Sequence, residues 1–249
     1  MRIPYHIPHI SQVALTRTLE RLHRTPFLDF EVHRKLEEHL AAPHQRAWRF
    51  TDSCTDALEL AALALGVGPG DEVIMPSYTY AGTANAFTKF GATIRFADVE
   101  PDCLGLDPKS VQEKLSERTK AIVPVHYAGM AADLDALVSL LGDSWPGDSA
   151  GGDATAGTTA DASADVAIHA AAGSPRIALI EDAAQGLGST YRGRPLGVHG
   201  DFGAVSFHHT KNITTFGRGG MLYLKPHFQE TVDQCAAQGT NRSDFLRGA

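Results

Sequence analysis

Short apolar runs alternate with helix-patterned segments along most of this chain, and that alternation restricts its fold more than any other feature. Extended runs are predicted at residues 47–50, 72–75, 93–97, 121–125 and 177–180. Helical patterns cover residues 29–40, 55–65, 81–90, 110–115 and 132–141. Runs that are apolar throughout belong to strands buried on both faces, and helices between successive runs supply the cover. The expected fold class is therefore α/β, with a mainly parallel central sheet and helices on both faces. At 249 residues the chain suits one large domain, or one plus part of a second, and residues 1–249 are read as a single large domain.

Residues 142–175 break the alternation. They hold five Asp (143, 148, 153, 161 and 165), no Lys, Arg or Glu, and many Ala, Gly, Ser and Thr. So little apolar surface cannot offset the entropy of ordering, so a flexible low-complexity insertion is expected in the connection ahead of Ile177. A tolerated insertion without chemical role is the favoured reading over a lid or partner-binding loop.

Composition removes several function classes. With 22 basic and 29 acidic side chains the net charge is −7, and no broad cationic face is available to neutralise nucleic-acid phosphates. No apolar run approaches a membrane span, and Met1-Arg2-Ile3-Pro4-Tyr5 is no signal-peptide core. Cys54, Cys103 and Cys235 show no metal spacing, which favours reduced thiols and a cytoplasmic setting. His208 and His209 are adjacent without a third ligand, so no metal site is expected.

The chemistry collects just past two of the apolar runs. Ile177-Ala178-Leu179-Ile180 leads to Glu181-Asp182-Ala183-Ala184-Gln185, and Gly203-Ala204-Val205-Ser206-Phe207 leads to His208-His209-Thr210-Lys211-Asn212. An acid past one buried strand and a lysine past another suit pyridoxal 5'-phosphate (PLP). The lysine amine condenses with the aldehyde, while the carboxylate pairs with the protonated pyridine nitrogen and keeps the ring an electron sink. A lone lysine is ordinarily a solvated charge and a post-strand Asp is commonly a helix cap; position selects Lys211 and Asp182 as the catalytic pair. Ser53-Cys54-Thr55 opens a helix, whose unpaired amides form an anion site, with the Thr55 hydroxyl as a further donor. An ordinary Ser/Thr cap explains that tripeptide equally well.

Seven segments together resemble the DegT/DnrJ/EryC1/StrS family of sugar aminotransferases. They are Ser53–Leu58, Pro69–Tyr80, Thr83–Ala86, Val123–Gly129, Glu181–Gln185, Ser206–Asn212 and Gly239–Ser243, in the family's order. The resemblance implies the large domain of fold-type-I PLP-dependent transferases, with the family's smaller C-terminal domain absent beyond Gly248-Ala249. It implies transfer of an amino group from an amino acid, L-glutamate, to a nucleotide-linked keto sugar, TDP-4-oxo-6-deoxy-D-glucose. The 4-amino-4,6-dideoxy product would enter a surface polysaccharide such as lipopolysaccharide or enterobacterial common antigen. Amination at the 3-position stays open beside it, as does a shortened, non-catalytic PLP-fold protein. Decarboxylation is disfavoured by the motifs around Thr79 and Asn241.

By the same resemblance Cys54 and Thr55 hold the cofactor phosphate with Ser206, and Tyr80 stacks on the ring, against the alternative of a core aromatic. Gln185 lies near the phenolic oxygen. Asn241 reaches the neighbouring subunit's phosphate, so a homodimer with a shared site is expected. The matching His in family sugar dehydratases replaces Lys211, so the lysine points to amino transfer. Two departures stand out. Arg24-Thr25-Pro26-Phe27-Leu28 occupies the place of a glycine-rich substrate loop, and Arg218 in Phe216-Gly217-Arg218-Gly219-Gly220 replaces an acid near the cofactor. Arg218 either binds an anionic substrate group or marks a diverged, inactive enzyme.

Overall fold

The computed structural model describes residues 11–24, 35, 44–141, 176–215 and 217–236. The expected helix over 29–40 (Lys35 apart), the segment 142–175, Phe216 and Asn241 lie outside the described residues.

In chain order the elements are α1 (Gln12–Arg24), β1 (Ala47–Thr51), α2 (Cys54–Ala64), β2 (Glu72–Pro76), α3 (Ala81–Thr88), β3 (Thr93–Ala97) and α4 (Pro108–Lys114). After them come β4 (Thr119–Ile122), a 3₁₀ turn at Tyr127–Gly129, α5 (Leu134–Leu140), β5 (Ala178–Ala183), the short pair β6 (Thr190–Tyr191) and β7 (Arg194–Pro195), β8 (Phe202–Ser206), β9 (Gly220–Leu224) and α6 (Gln229–Ala236). Seven strands form one sheet in the order β1-β9-β8-β5-β4-β2-β3. Strands β3, β2, β4, β5 and β8 pair in parallel, whereas β9 runs antiparallel to both β8 and β1. The sheet is mainly parallel, as the alternation predicts. Strand β9 and helices α1 and α6 were not expected from the pattern.

Side-chain alternation divides the core between the two faces. Val73 and Met75 of β2, Ala121 of β4, Ala178 and Ile180 of β5, and Phe202 and Ala204 of β8 pack with Leu58, Ala61 and Ala62 of α2 and Phe87 of α3. The intervening residues Ile74, Ile122 and Leu179 meet Val111 of α4 and Leu134 and Leu137 of α5 on the opposite face. Leu58, Phe87, Leu134 and Leu137 are almost completely buried, and each such side chain contributes about 1.5–3 kcal/mol of transfer free energy. A third cluster, with Leu196, Val198, Val205 and Tyr223, seats the 184–199 connection against the sheet.

Local chemistry sets the helix ends. Ser53 caps α2, its Oγ accepting the Asp56 N–H at 3.1 Å, and Gly66 at φ 64 receives the chain at the other end. Asp107 and Asp133 cap α4 and α5, with Pro108 in the first turn of α4. Helices α2, α4 and α5 thus start where the sequence offers a short polar side chain, whereas α3 starts at Tyr80 without a side-chain cap. Among the described residues no helix is long and apolar enough to cross a membrane.

Candidate active site

In a doubly covered parallel sheet the carboxyl ends of the strands form the natural crevice, above all where the strand order reverses. Here the chain leaves β2 towards β3 on one side and returns to β4 on the other. Asp182 lies at the carboxyl end of β5, Ser206 ends β8, and Ser53 follows β1. The sequence-predicted residues therefore converge because their strands end on the same edge.

Asp182 shares the α2–α3 face of the sheet with Ala178 and Ile180, being an even number of residues away. Its carboxylate is 4 % exposed. Oδ2 accepts the Thr83 hydroxyl of α3 at 2.7 Å, and Oδ1 accepts the Ala184 N–H at 3.1 Å. Thr79 donates in turn to Thr83 Oγ1 at 3.1 Å. No cation among the described residues pairs with Asp182. A buried carboxylate so placed is a ready counter-ion for a cationic ligand.

The first turn of α2 stands over the same pocket. Cys54 Sγ lies 4.0 Å from Asp182 Oδ1. Burial and the Asp182 charge push the Cys54 thiol well above its ordinary range, and Lys211 pulls the other way. Lys211 is thus close enough for its charge to act on Cys54. Among the described residues the Lys211 side-chain nitrogen has no hydrogen-bond or ion-pair partner, and neither do the amides of Cys54 and Thr55. Ser53, by contrast, is committed to the cap: it also donates to Asp56 Oδ2 at 2.8 Å. An incoming anion would meet the Cys54 and Thr55 amides rather than the Ser53 hydroxyl.

Close packing holds this turn in place. A Cβ on Gly220 of β9 would lie 2.3 Å from Ser53 C, 2.4 Å from Ser53 O and 2.6 Å from Cys54 N. Gly220 pairs with Ser206, which is 5 % exposed and accepts the His208 N–H at 3.3 Å. Gly82 does the same service for Tyr80 and Thr55: its added Cβ would fall 2.6 Å from the Tyr80 ring and 2.8 Å from Thr55 Oγ1. Tyr80 occupies the cap position of α3 and is 78 % exposed, so it is no core aromatic; its ring is open to a ligand.

Gln185, the turn at Tyr127 and the residues on either side of Lys211 are each held by local contacts. Gln185 Oε1 accepts the Ala128 N–H at 2.7 Å, where Ala128 adopts φ 54 in the 3₁₀ turn. Tyr127 of that turn meets Tyr78, hydroxyl to hydroxyl at 2.9 Å. His208 lies against His209, the ring centroids 3.9 Å apart and the planes tilted by 45°, and burial together with His209, Lys211 and Arg218 lowers its basicity. Arg218 is exposed, and Thr215 donates to its carbonyl at 2.8 Å. Among the described residues no cluster of His, Cys, Asp or Glu could hold a metal ion.

Two residues to which sequence reasoning gave no role lie on the other face of β5. Glu181 and His126 are both fully buried, with Oε2 and Nε2 2.9 Å apart. Glu181 Oε2 also accepts the Gly197 N–H, and Oε1 accepts those of His199 and Gly200. Burial alone would raise the Glu181 carboxyl. The His126 contact and the converging amides overcome that penalty and hold it down to about 2.

The comparisons bear on the whole arrangement. The chain is 35% identical over 225 residues to the spore coat polysaccharide biosynthesis protein SpsC of Bacillus subtilis (strain 168), which covers 88% of this chain and 49% of SpsC. A Streptococcus pneumoniae protein, Spr1654, described as a sugar aminotransferase in its PLP form, superposes with a TM-score of 0.72 at 29% identity, covering 94% of this chain and 57% of that one. DesI, solved in the presence of its TDP-sugar product, gives 0.72 at 29% identity over 94% of this chain and 52% of its own. The chain spans about half the length of the curated relatives it matches. The model of the DegT/DnrJ/EryC1/StrS aminotransferase family matches residues 16–144 and 155–247, which include every strand that builds the crevice, and the chain belongs to that family.

Proposed function

We propose that this protein is a PLP-dependent sugar aminotransferase, moving an amino group from L-glutamate to a nucleotide-linked keto sugar. TDP-4-oxo-6-deoxy-D-glucose is the proposed acceptor, giving a 4-amino-4,6-dideoxy sugar. Family membership and the PLP form of the Streptococcus pneumoniae relative support the cofactor. The observation that carries the reading is the buried Asp182 carboxylate, without a cation among the described residues, next to Cys54, on which the Lys211 charge also acts.

The residues fit the cofactor group by group. Asp182 takes the pyridine nitrogen, with Thr83 and Ala184 fixing its two oxygens. Cys54 and Thr55 amides, the Thr55 hydroxyl and Ser206 take the phosphate. Tyr80 flanks the ring, Gln185 stands by the phenolic oxygen, and Asn241, outside the described residues, serves the phosphate of a partner subunit in a homodimer. When bound, the cofactor supplies an aldehyde and a conjugated cationic ring that accepts electron density from the carbon being deprotonated.

Lys211 then acts as the mobile base. Freed by the amino donor, its amine would take the proton from the donor's α-carbon and deliver it two atoms away, on the far side of the donor's nitrogen. The keto sugar is aminated by the same proton relay in reverse. Asp182 holds its position throughout, and the Cys54 and Thr55 amides keep the phosphate end from turning. DesI, a relative solved with a TDP-sugar product, supports a nucleotide sugar as acceptor.

Visible absorption of the protein with PLP, before and after L-glutamate, tests this reading. A band that requires Lys211 and is converted by glutamate is expected, and Lys211→Ala should lack it. A chain that binds no PLP through Lys211 would overturn the proposal. Product analysis with TDP-4-oxo-6-deoxy-D-glucose and its 3-oxo isomer then fixes the position aminated.

A further inference from the structure

We propose that Glu181 and His126 are positioning residues, a buried unit that sets the angles at which Asp182 and Gln185 meet the cofactor. The inference rests on reading the crevice as a PLP site.

Successive residues of a strand point to opposite faces. Asp182 faces α2 and α3, so Glu181 must face the layer built by residues 196–200. There its carboxylate accepts four donors: His126 Nε2 at 2.9 Å, and the N–H groups of Gly197 at 2.8 Å, His199 at 2.6 Å and Gly200 at 2.6 Å. The His126 tautomer follows from its two contacts. Nδ1 accepts the Ala132 N–H at 3.2 Å, so the ring proton sits on Nε2 and is donated to Glu181.

The main chain closes a loop through the same residues. His126 N–H donates to Asp182 O at 3.0 Å, and Asp182 N–H donates to Pro124 O at 2.9 Å. The Glu181–His126 contact therefore braces, from behind, the peptide units that aim the Asp182 side chain. His126 also begins the turn whose Ala128 N–H is accepted by Gln185 Oε1, so the unit fixes both residues on the cofactor's polar edge. A pair needed only for folding would have no reason to be coupled energetically to Asp182.

That coupling is the test. Dissociation constants for PLP are measured by absorption titration, without amino donor, at a temperature where circular dichroism shows each variant folded. Glu181→Gln and His126→Ala should bind PLP about tenfold or more weakly, the worth of one hydrogen bond to a charged group. His126→Gln keeps a donor near the Nε2 position and should recover much of that loss. In an Asp182→Asn background the same substitutions should add less than about twofold, because the positioned carboxylate is gone.

Equal losses in both backgrounds, or wild-type affinity in folded variants, would overturn the proposal while leaving the PLP site intact. If Glu181→Gln does not fold, the cycle between His126→Ala and Asp182→Asn decides it alone. Failure of the unaltered chain to bind PLP would instead sink the functional reading, and this inference with it.

Discussion

Gly220→Ala is a small change with a large expected effect, because the space a methyl group needs is filled by backbone. Gly220 carries no left-handed φ, so alanine meets no conformational penalty there. The cost is steric. Contacts of 2.3, 2.4 and 2.6 Å to Ser53 C, Ser53 O and Cys54 N must open by about 1 Å to reach ordinary van der Waals distance, and overpacking of this kind costs about 1–3 kcal/mol. For a chain of this size that corresponds to a fall in Tm of roughly 2–10 °C. The atoms forced to move belong to the first turn of α2, so the Cys54 and Thr55 amides are displaced as a unit. Misplacement of a binding group by about 1 Å can cost up to about a hundredfold, so PLP affinity should fall well beyond what stability alone explains. Thermal melts with and without PLP, together with an absorption titration, measure both effects. A variant with unchanged Tm and unchanged PLP affinity would refute the claim that Gly220 seats the turn proposed to bind phosphate.

Thr83→Val should lower the stability of the cofactor-free protein by about 1–3 kcal/mol in urea unfolding, by leaving a buried Asp182 oxygen short of its donor; Thr83→Ser should restore it. The depressed Glu181 pKa makes a second contribution measurable by pH. A carboxyl held at about 2 when folded and near 4.5 when unfolded stabilises the native state fully above 4.5, and on the order of 3 kcal/mol is lost as pH falls from there through 2. Urea midpoints taken from pH 6 to 2 should slope accordingly, and Glu181→Gln should flatten the slope. Gly203→Ala should not yield soluble folded protein, since its Cβ would lie 1.9 Å from Gly197 O; a soluble variant with native circular dichroism would count against that packing.

Much of the fold was legible because strand periodicity and helix caps are local properties. The runs at 72–75, 93–97 and 177–180 became β2, β3 and β5, and the Ser53-Cys54-Thr55 turn opens α2, whereas the helices expected at 110–115 and 132–141 start at the Asp107 and Asp133 caps. Asp182 and Lys211 could be selected because each ends or follows a recognisable buried strand, whereas Ser206 was reached through the family resemblance. Glu181 and His126 could not be given roles, since their partners at 197–200 belong to a connection without periodicity and 16 to 19 residues away from Glu181. Strand β9 was hidden by the glycines at its start, which read as a turn although Gly220 is the strand's first residue. Tyr80 had two possible settings in the sequence, core or cleft, and only its exposure at the cap of α3 separates them.

The single reversed strand of the sheet has a consequence for how this site can vary. β8 and β9 are paired residue for residue from Phe202↔Leu224 to Ser206↔Gly220, and the ladder is extended by Phe207 N–H to Gly219 O and His209 N–H to Gly217 O. Lys211 is therefore carried on a span tethered at both feet rather than on an open strand-to-helix connection. Residues exchanged between the feet, at 212–215, change the outline of the span without sliding either foot, whereas Arg218 lies within one foot, between Gly217 and Gly219. The loop between the feet can change its outline, while Lys211 stays referenced to the sheet through the His209–Gly217 and Phe207–Gly219 contacts.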